Sequence, residues 1–178
     1  MKSIIENNKS VIKFLVIFIC TYTVLYITYY WFILSAKELD VFTKIVSNQT
    51  VNMLNLIDYE TNSKINSNND FINLFVRGKN IAGISEGCNA ISIMILFISF
   101  VISFSVNIKK TVLFLIIGIL IIHTMNILRI VILIIFMYNF PKYSTPLHDY
   151  VFPAAIYGVV FLLWMYWVNT LDKTKNEY

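Results

Sequence analysis

Three side chains in this sequence are of types suited to nucleophilic chemistry: Cys88, Arg129 and His148. A cysteine thiolate attacks carbonyl carbon, and a histidine can take the thiol proton and later give it to a leaving amine. Arginine keeps its charge at any working pH, so it suits gripping a carbonyl or stabilising an oxyanion. Together the three would make an acyl-transfer site for peptide bonds. Each also has an ordinary reading. Cysteine is among the most often buried residues, a loop histidine is usually solvated, and an arginine can form a structural ion pair or snorkel to an interface.

Arg129 carries the most weight, because a charge inside a membrane helix costs about 2.5–3.5 kcal/mol even on insertion scales. His123, Asn126 and Arg129 recur at every third residue, along one slanted helical face. Asn126 is thereby placed to accept a guanidinium hydrogen bond. His123 lies about 9 Å deeper by helical rise and reads as an interior histidine bonded to a neighbour. Asp149 follows His148 directly. Adjacent residues do not easily orient one another, so its role is open. Two separated histidines and no cysteine pair give no metal-ligand set, and no Gly-x-Ser-x-Gly elbow or Walker loop is present. No metal or cofactor is expected.

The elements that must position these groups are membrane helices. The 178 residues are 58% hydrophobic and 13% charged, whereas soluble domains carry about a quarter charged residues. The expected class is an all-α integral membrane protein, one membrane domain over residues 1–178. Apolar runs predict four spans, at about 13–34, 89–108, 111–136 and 150–168. The first run exceeds a signal-peptide core and "ILSAKE" is a poor cleavage site, so a retained helix is expected. The third is too long for an upright helix and should tilt or emerge.

Lys2, Lys9 and Lys13 flank the start, Lys109 and Lys110 sit between spans two and three, and Lys173 and Lys175 close the tail. The positive-inside rule makes those segments cytoplasmic. Both termini are then cytoplasmic, and the connection at about 35–88 and the turn before span four lie outside. That connection carries five basic and six acidic residues, a balanced surface that gives no sign of nucleic-acid binding. Leu39, Phe42, Val46, Met53 and Leu56 fall at roughly helical spacing and predict an amphipathic element resting on the lipid bilayer. "FINLFVRGKNIAGIS" predicts a small hairpin turning at Gly-Lys-Asn, and "ETNSKINSNND" reads as a polar loop.

With this topology Cys88, Arg129 and His148 can meet near the outer surface. Cys20 lies in the inner half of span one, too far from Cys88 for a disulfide, so Cys88 is expected as a free thiol on an oxidising face. Two other classes compete with an enzyme. One is a small transporter or channel component in which Arg129 binds an anion, and the other is a non-enzymatic membrane assembly subunit.

"EGCNAISIMILF", "NILRI" and "HDYVFPAAIYG", in that order, resemble the Cys, Arg and His motifs of the exosortase/archaeosortase family. The small size is most similar to the short type F exosortases of Bacteroidota. The resemblance implies a cysteine transpeptidase in a bacterial inner membrane with its active site on the extracytoplasmic side. Its substrates would be membrane-anchored proteins ending in a sorting signal: a short motif, a membrane helix and a basic tail. Carried over by position, Cys88 would be the nucleophile, Arg129 and His148 its partners, and Asn126 and Gly158 motif support. One position departs: Ala90 stands where many members have glycine, which restricts the backbone next to the nucleophile.

Overall fold

The computed structural model describes residues 9–35, 39–66, 71–105 and 107–175, with side chains described as far as 170. Five helices and a small sheet follow one another. They are α1 (Lys9–Ser35), α2 (Val41–Leu56), β1 (Thr61–Ile65), β2 (Ile72–Val76), β3 (Lys79–Ile84), α3 (Ile91–Ser103), α4 (Ile108–Asn139) and α5 (Phe152–Lys175). The chain is an all-α integral membrane protein in class, with the sheet as an insertion between α2 and α3.

Among the described residues, three segments are long and apolar enough to cross a bilayer: Lys9–Ser35, Ile108–Asn139 and Pro141–Thr170. The expected second span is different. Helix α3 has only 13 residues, about 20 Å of rise against a hydrocarbon core of about 30 Å. It begins late because residues 86–90 are used by a tight turn. It stops at Phe104 because Asn107 caps the next helix, its side chain accepting from the amides of Lys109 and Lys110 at 3.0 and 3.3 Å. Helix α4 has 32 residues, about 48 Å long, and serves two separate cores. Its C-terminal half contributes Ile127, Ile130, Val131 and Ile134 to a core with Val46 and Leu54 of α2 and Leu74, Val76 and Ile84 of the sheet. Its N-terminal half contributes Phe114 and Ile122 to a second core with Met94, Phe97 and Val101 of α3 and Val160 and Trp167 of α5.

Close approach of α3 and α4 depends on Gly118. A β-carbon there would lie 2.2 Å from Cζ of Phe97, and that ring is fully buried. Helix α1 packs along α3 and buries none of its residues.

Helix α2 exists where the sequence pattern placed it, but the expected apolar stripe is split: Val46, and Leu39 just before the helix, are buried in the protein. Thr43, Val46, Ser47, Thr50 and Leu54 face inward, while Phe42, Met53 and Leu56 are exposed. Small side chains let α2 lie close to α4 and β1, and the Thr50 hydroxyl is satisfied by donating to the Val46 carbonyl at 2.8 Å. Phe42, Ile45, Met53 and Leu56 are left partly or largely exposed, with the Phe42 ring against Phe32 of α1.

The hairpin turns at Arg77-Gly78, one residue earlier than expected, with φ of 48° and 78°. Two successive residues at positive φ make the tight turn that matches strand twist, and Lys79 pairs with Val76. The segment read as a polar loop supplies a third strand, β1, antiparallel to β2 in the order β1-β2-β3. Lys64 and Asn62 obscure it in the sequence because β1 is an edge strand, with only Thr61 buried.

Candidate active site

Strand β3 runs through Ser85 into a single turn of 3-10 helix, Glu86–Cys88, that ends on Cys88. Within the turn the Cys88 amide donates to the Ser85 carbonyl at 2.9 Å, and the Ser85 hydroxyl lies 3.9 Å from the Cys88 sulfur. The thiol is free and half-buried, against the core shared by α2, the sheet and α4. Cys20 is also free.

Two asparagines hold this turn. Asn126 of α4, fully buried, donates its amide Nδ2 to the Cys88 carbonyl at 2.8 Å. Asn89 accepts the Ile91 amide at 3.0 Å, opening α3, and donates to the Tyr29 hydroxyl of α1 at 2.8 Å. It also reaches the Thr43 hydroxyl at 3.4 Å, and Thr43 in turn bonds the carboxylate of Asp40, the N-cap of α2. A buried polar chain thus ties α1, α2 and the head of α3 to the residue beside the candidate nucleophile. The sequence carried a sign of it, since Asp40-x-x-Thr43 before a helical run has the form of an N-cap.

Ala90 takes φ +62° and ψ 9° in the left-handed region. An L-residue pays about 1–2 kcal/mol there that glycine would not. The restriction expected at this position is therefore real, and the chain bears it with a 5% exposed alanine inside the second core. Glu86, in the same turn, has its carboxyl held above its ordinary range by burial first and by the like charge of Asp40 second.

Arg129 lies one turn beyond Asn126 on α4. Its Nε is buried without a hydrogen-bond partner, and so is Oδ1 of Asn126. The expected bond between those two side chains is therefore not made: Asn126 is turned to the Cys88 carbonyl instead. His123, one turn the other way, bonds the exposed Gln49 of α2 through Nε2 at 2.7 Å, so it has the expected polar neighbour but is half-buried at the surface between the helices rather than interior.

Beyond α4, short 3-10, α and π turns cover Pro141–Tyr143, Ser144–Pro146 and Leu147–Val151 before α5 begins. The π turn holds His148 and Asp149 so that Nδ1 of His148 meets Oδ1 of Asp149 at 2.8 Å. Adjacency did not prevent the pairing, because the wider turn lets both side chains swing to one side. With Nδ1 donating to a carboxylate, Nε2 of the neutral ring is left as the acceptor. Both side chains are about half exposed, and they line a cavity of about 220 Å³ with Leu133 and Met137 of α4.

Helix α4 is thus the common scaffold. Asn126, Leu133 and Met137 lie within about 40° of one another around its axis, and Arg129 about 60° to one side, at 100° per residue. The structure brings Cys88 to Asn126, sets Arg129 one turn along, and sets the His148 cavity one further turn along. Among the described residues, no hydrogen bond or ion pair joins Cys88, Arg129 and His148 to one another. Gly158, on α5, faces open space, with no atom within 4 Å of a β-carbon built there. Nothing in the structure explains a supporting role for it.

A family model described as Transmembrane exosortase matches residues 11–169. The chain belongs to the transmembrane exosortase family. No curated protein and no solved structure matches it. The match spans α1 through most of α5, so the sheet insertion and both cores lie within the exosortase region. Exosortase membership points to a multi-pass membrane transpeptidase of protein sorting, acting on membrane-anchored proteins that carry sorting signals.

Proposed function

We propose that this exosortase cleaves the C-terminal sorting signals of exported, membrane-anchored proteins, with Cys88 as nucleophile and a thioacyl intermediate. The observation that carries the reading is the tether from Asn126 to the Cys88 carbonyl, with the partnerless Nε of Arg129 one turn away. A buried guanidinium nitrogen without a partner is costly, and a substrate carbonyl would answer it.

Cys88 sulfur attacks the scissile carbonyl and forms a carbon–sulfur bond, while the carbonyl electrons move to an oxyanion facing Arg129. His148 Nε2 takes the thiol proton and delivers it to the leaving amine as the carbon–nitrogen bond breaks. Asp149 fixes the ring through Nδ1. An acceptor amine or water then resolves the thioester and regenerates the thiol. Sulfur and imidazole must approach one another for this, and catalytic hydrogen bonds often form only once substrate is in place. The lysine distribution supports cytoplasmic termini with this site on the opposite face, and the family resemblance supports a bacterial inner membrane. We assign the chain to the short type F branch on its motifs and size.

The test is processing of co-encoded secreted proteins that end in an apolar helix and a basic tail. Cells carry wild type, Cys88→Ala, Cys88→Ser or His148→Ala at equal membrane abundance. Loss of the shortened product in all three variants is expected. Unchanged processing in both Cys88 variants overturns the nucleophile. If in that case Arg129→Gln alone abolishes function, an anion-binding role replaces the peptidase.

A further inference from the structure

A second site lies at the other end of α4, in the groove between its N-terminal half and α5, where a cavity of about 470 Å³ opens. It shares no residue with the cavity beside His148. Its floor is flat and aromatic: Phe114 and Trp167 are stacked with ring centroids 4.7 Å apart, and both are buried. Its walls are aliphatic, with Ile117 of α4 and Leu163 of α5 among the lining residues. Thr170 also lines the cavity, whose polar groups include the ammonium of Lys110 and the hydroxyl of Tyr166. Among the described residues neither has a hydrogen bond or ion pair. Trp167 adds an indole N–H that is buried and partnerless.

The axial order of these groups matters. Lys110 is at the first turn of α4, where the helix dipole adds positive potential, although Asn107 already caps the Lys109 and Lys110 amides. Ile117 and Ile121 lie about 10–16 Å further along the axis by helical rise. The groove is therefore cationic at one end and apolar along its length, and the cationic end coincides with the end of a membrane span. That is the polarity of a phospholipid lying beside a helix, headgroup at the interface and chain in the hydrocarbon.

We infer that this groove binds an anionic phospholipid. The headgroup phosphate meets Lys110 and the Tyr166 hydroxyl, and one acyl chain lies over the Phe114–Trp167 floor between Ile117 and Leu163. Charge complementarity selects the anionic class, since basic recesses between membrane helices favour acidic headgroups. A zwitterionic lipid offers the same phosphate but brings its own cation beside Lys110, which cancels part of the attraction. The site is independent of the peptidase reading, because its lining includes none of the residues placed in that site.

The experiment uses the full chain purified in mild detergent. Native mass spectrometry follows retention of phosphatidylglycerol and of phosphatidylcholine with the same acyl chains. Wild type should hold phosphatidylglycerol about fivefold more tightly, the effect of roughly one lysine at a charged membrane surface. Lys110→Gln should remove that preference and leave phosphatidylcholine retention alone. Ile117→Trp, which fills the groove, should lower retention of both. Lys109→Gln, at a neighbouring lysine outside the lining, should change nothing. Equal retention of the two lipids in wild type overturns the inference. So does a loss with Lys109→Gln as large as that with Lys110→Gln, which would mean diffuse surface charge rather than a site.

Discussion

Asn126 offers the sharpest separation of a positioning role from a structural one. Asn126→Leu removes a 2.8 Å hydrogen bond to the Cys88 carbonyl and replaces a fully buried amide by an apolar group of similar size. Losing the bond costs about 0.5–1.5 kcal/mol, and the abandoned carbonyl adds about 1 kcal/mol, at the low end of the range because Cys88 is only half-buried. In the other direction, the substitution also removes Oδ1, a buried acceptor with no partner, which recovers about 1–3 kcal/mol. The two sides nearly cancel, so thermal unfolding in detergent should show a change within about 1 kcal/mol. Activity has no such compensation. A nucleophile displaced by about 1 Å loses on the order of 100-fold in rate, and among the described residues no other side chain ties the Cys88 carbonyl. Sorting-signal processing should therefore fall at least about tenfold at unchanged abundance. Asn126→Asp, which cannot donate and brings a charge into the same buried position, should lose both activity and several kcal/mol of stability, as about expected for an uncompensated buried carboxylate. Wild-type processing by Asn126→Leu at wild-type abundance would refute the reasoning, because the tether would then have no bearing on the reacting sulfur.

Two further outcomes follow from the packing and from the electrostatics. Gly118→Ala drives a methyl group to 2.2 Å from the Phe97 ring and should destabilise by about 1–3 kcal/mol; the pair Gly118→Ala with Phe97→Leu should recover part of the loss in thermal unfolding, and a silent Gly118→Ala would contradict the close crossing of α3 and α4. Glu86 has a carboxyl raised above its ordinary value of 4.5 by burial and by Asp40, so its protonated form favours the fold, fully below about that value, and this contribution is lost as pH rises through the raised pKa. Glu86→Gln should accordingly be more stable than wild type at neutral pH, with the difference shrinking as pH falls toward the ordinary carboxylate value; a difference that grows on acidification would reverse the assignment.

Much of this protein is set by composition and local pattern alone. Its membrane class follows from the apolar content, because a chain with so few charges cannot present a solvated surface all round. Helices α1, α4 and α5 follow from uninterrupted apolar runs, and α2 from its spacing and the Asp40 cap. Cys88, Arg129 and His148 stood out because their side chains are expensive or reactive where the runs place them, and the motif order around them led to the family. What the sequence could not decide was which groups answer one another. The inward face of α2 is mostly threonine, serine and valine, with Leu54 at its end, because small residues permit close helix contact, and hydropathy does not score closeness. Strand β1 is legible only through its pairing with β2, since an edge strand needs no apolar alternation. Asn126 had two candidate partners, a guanidinium one turn away on its own helix and a carbonyl 38 residues back in the chain, and it bonds the carbonyl. Helical spacing favoured the first, and the tertiary fold made the second. Local periodicity fixes what a side chain could reach along its own helix, whereas a partner on another element exists only after α4 has been packed between two cores.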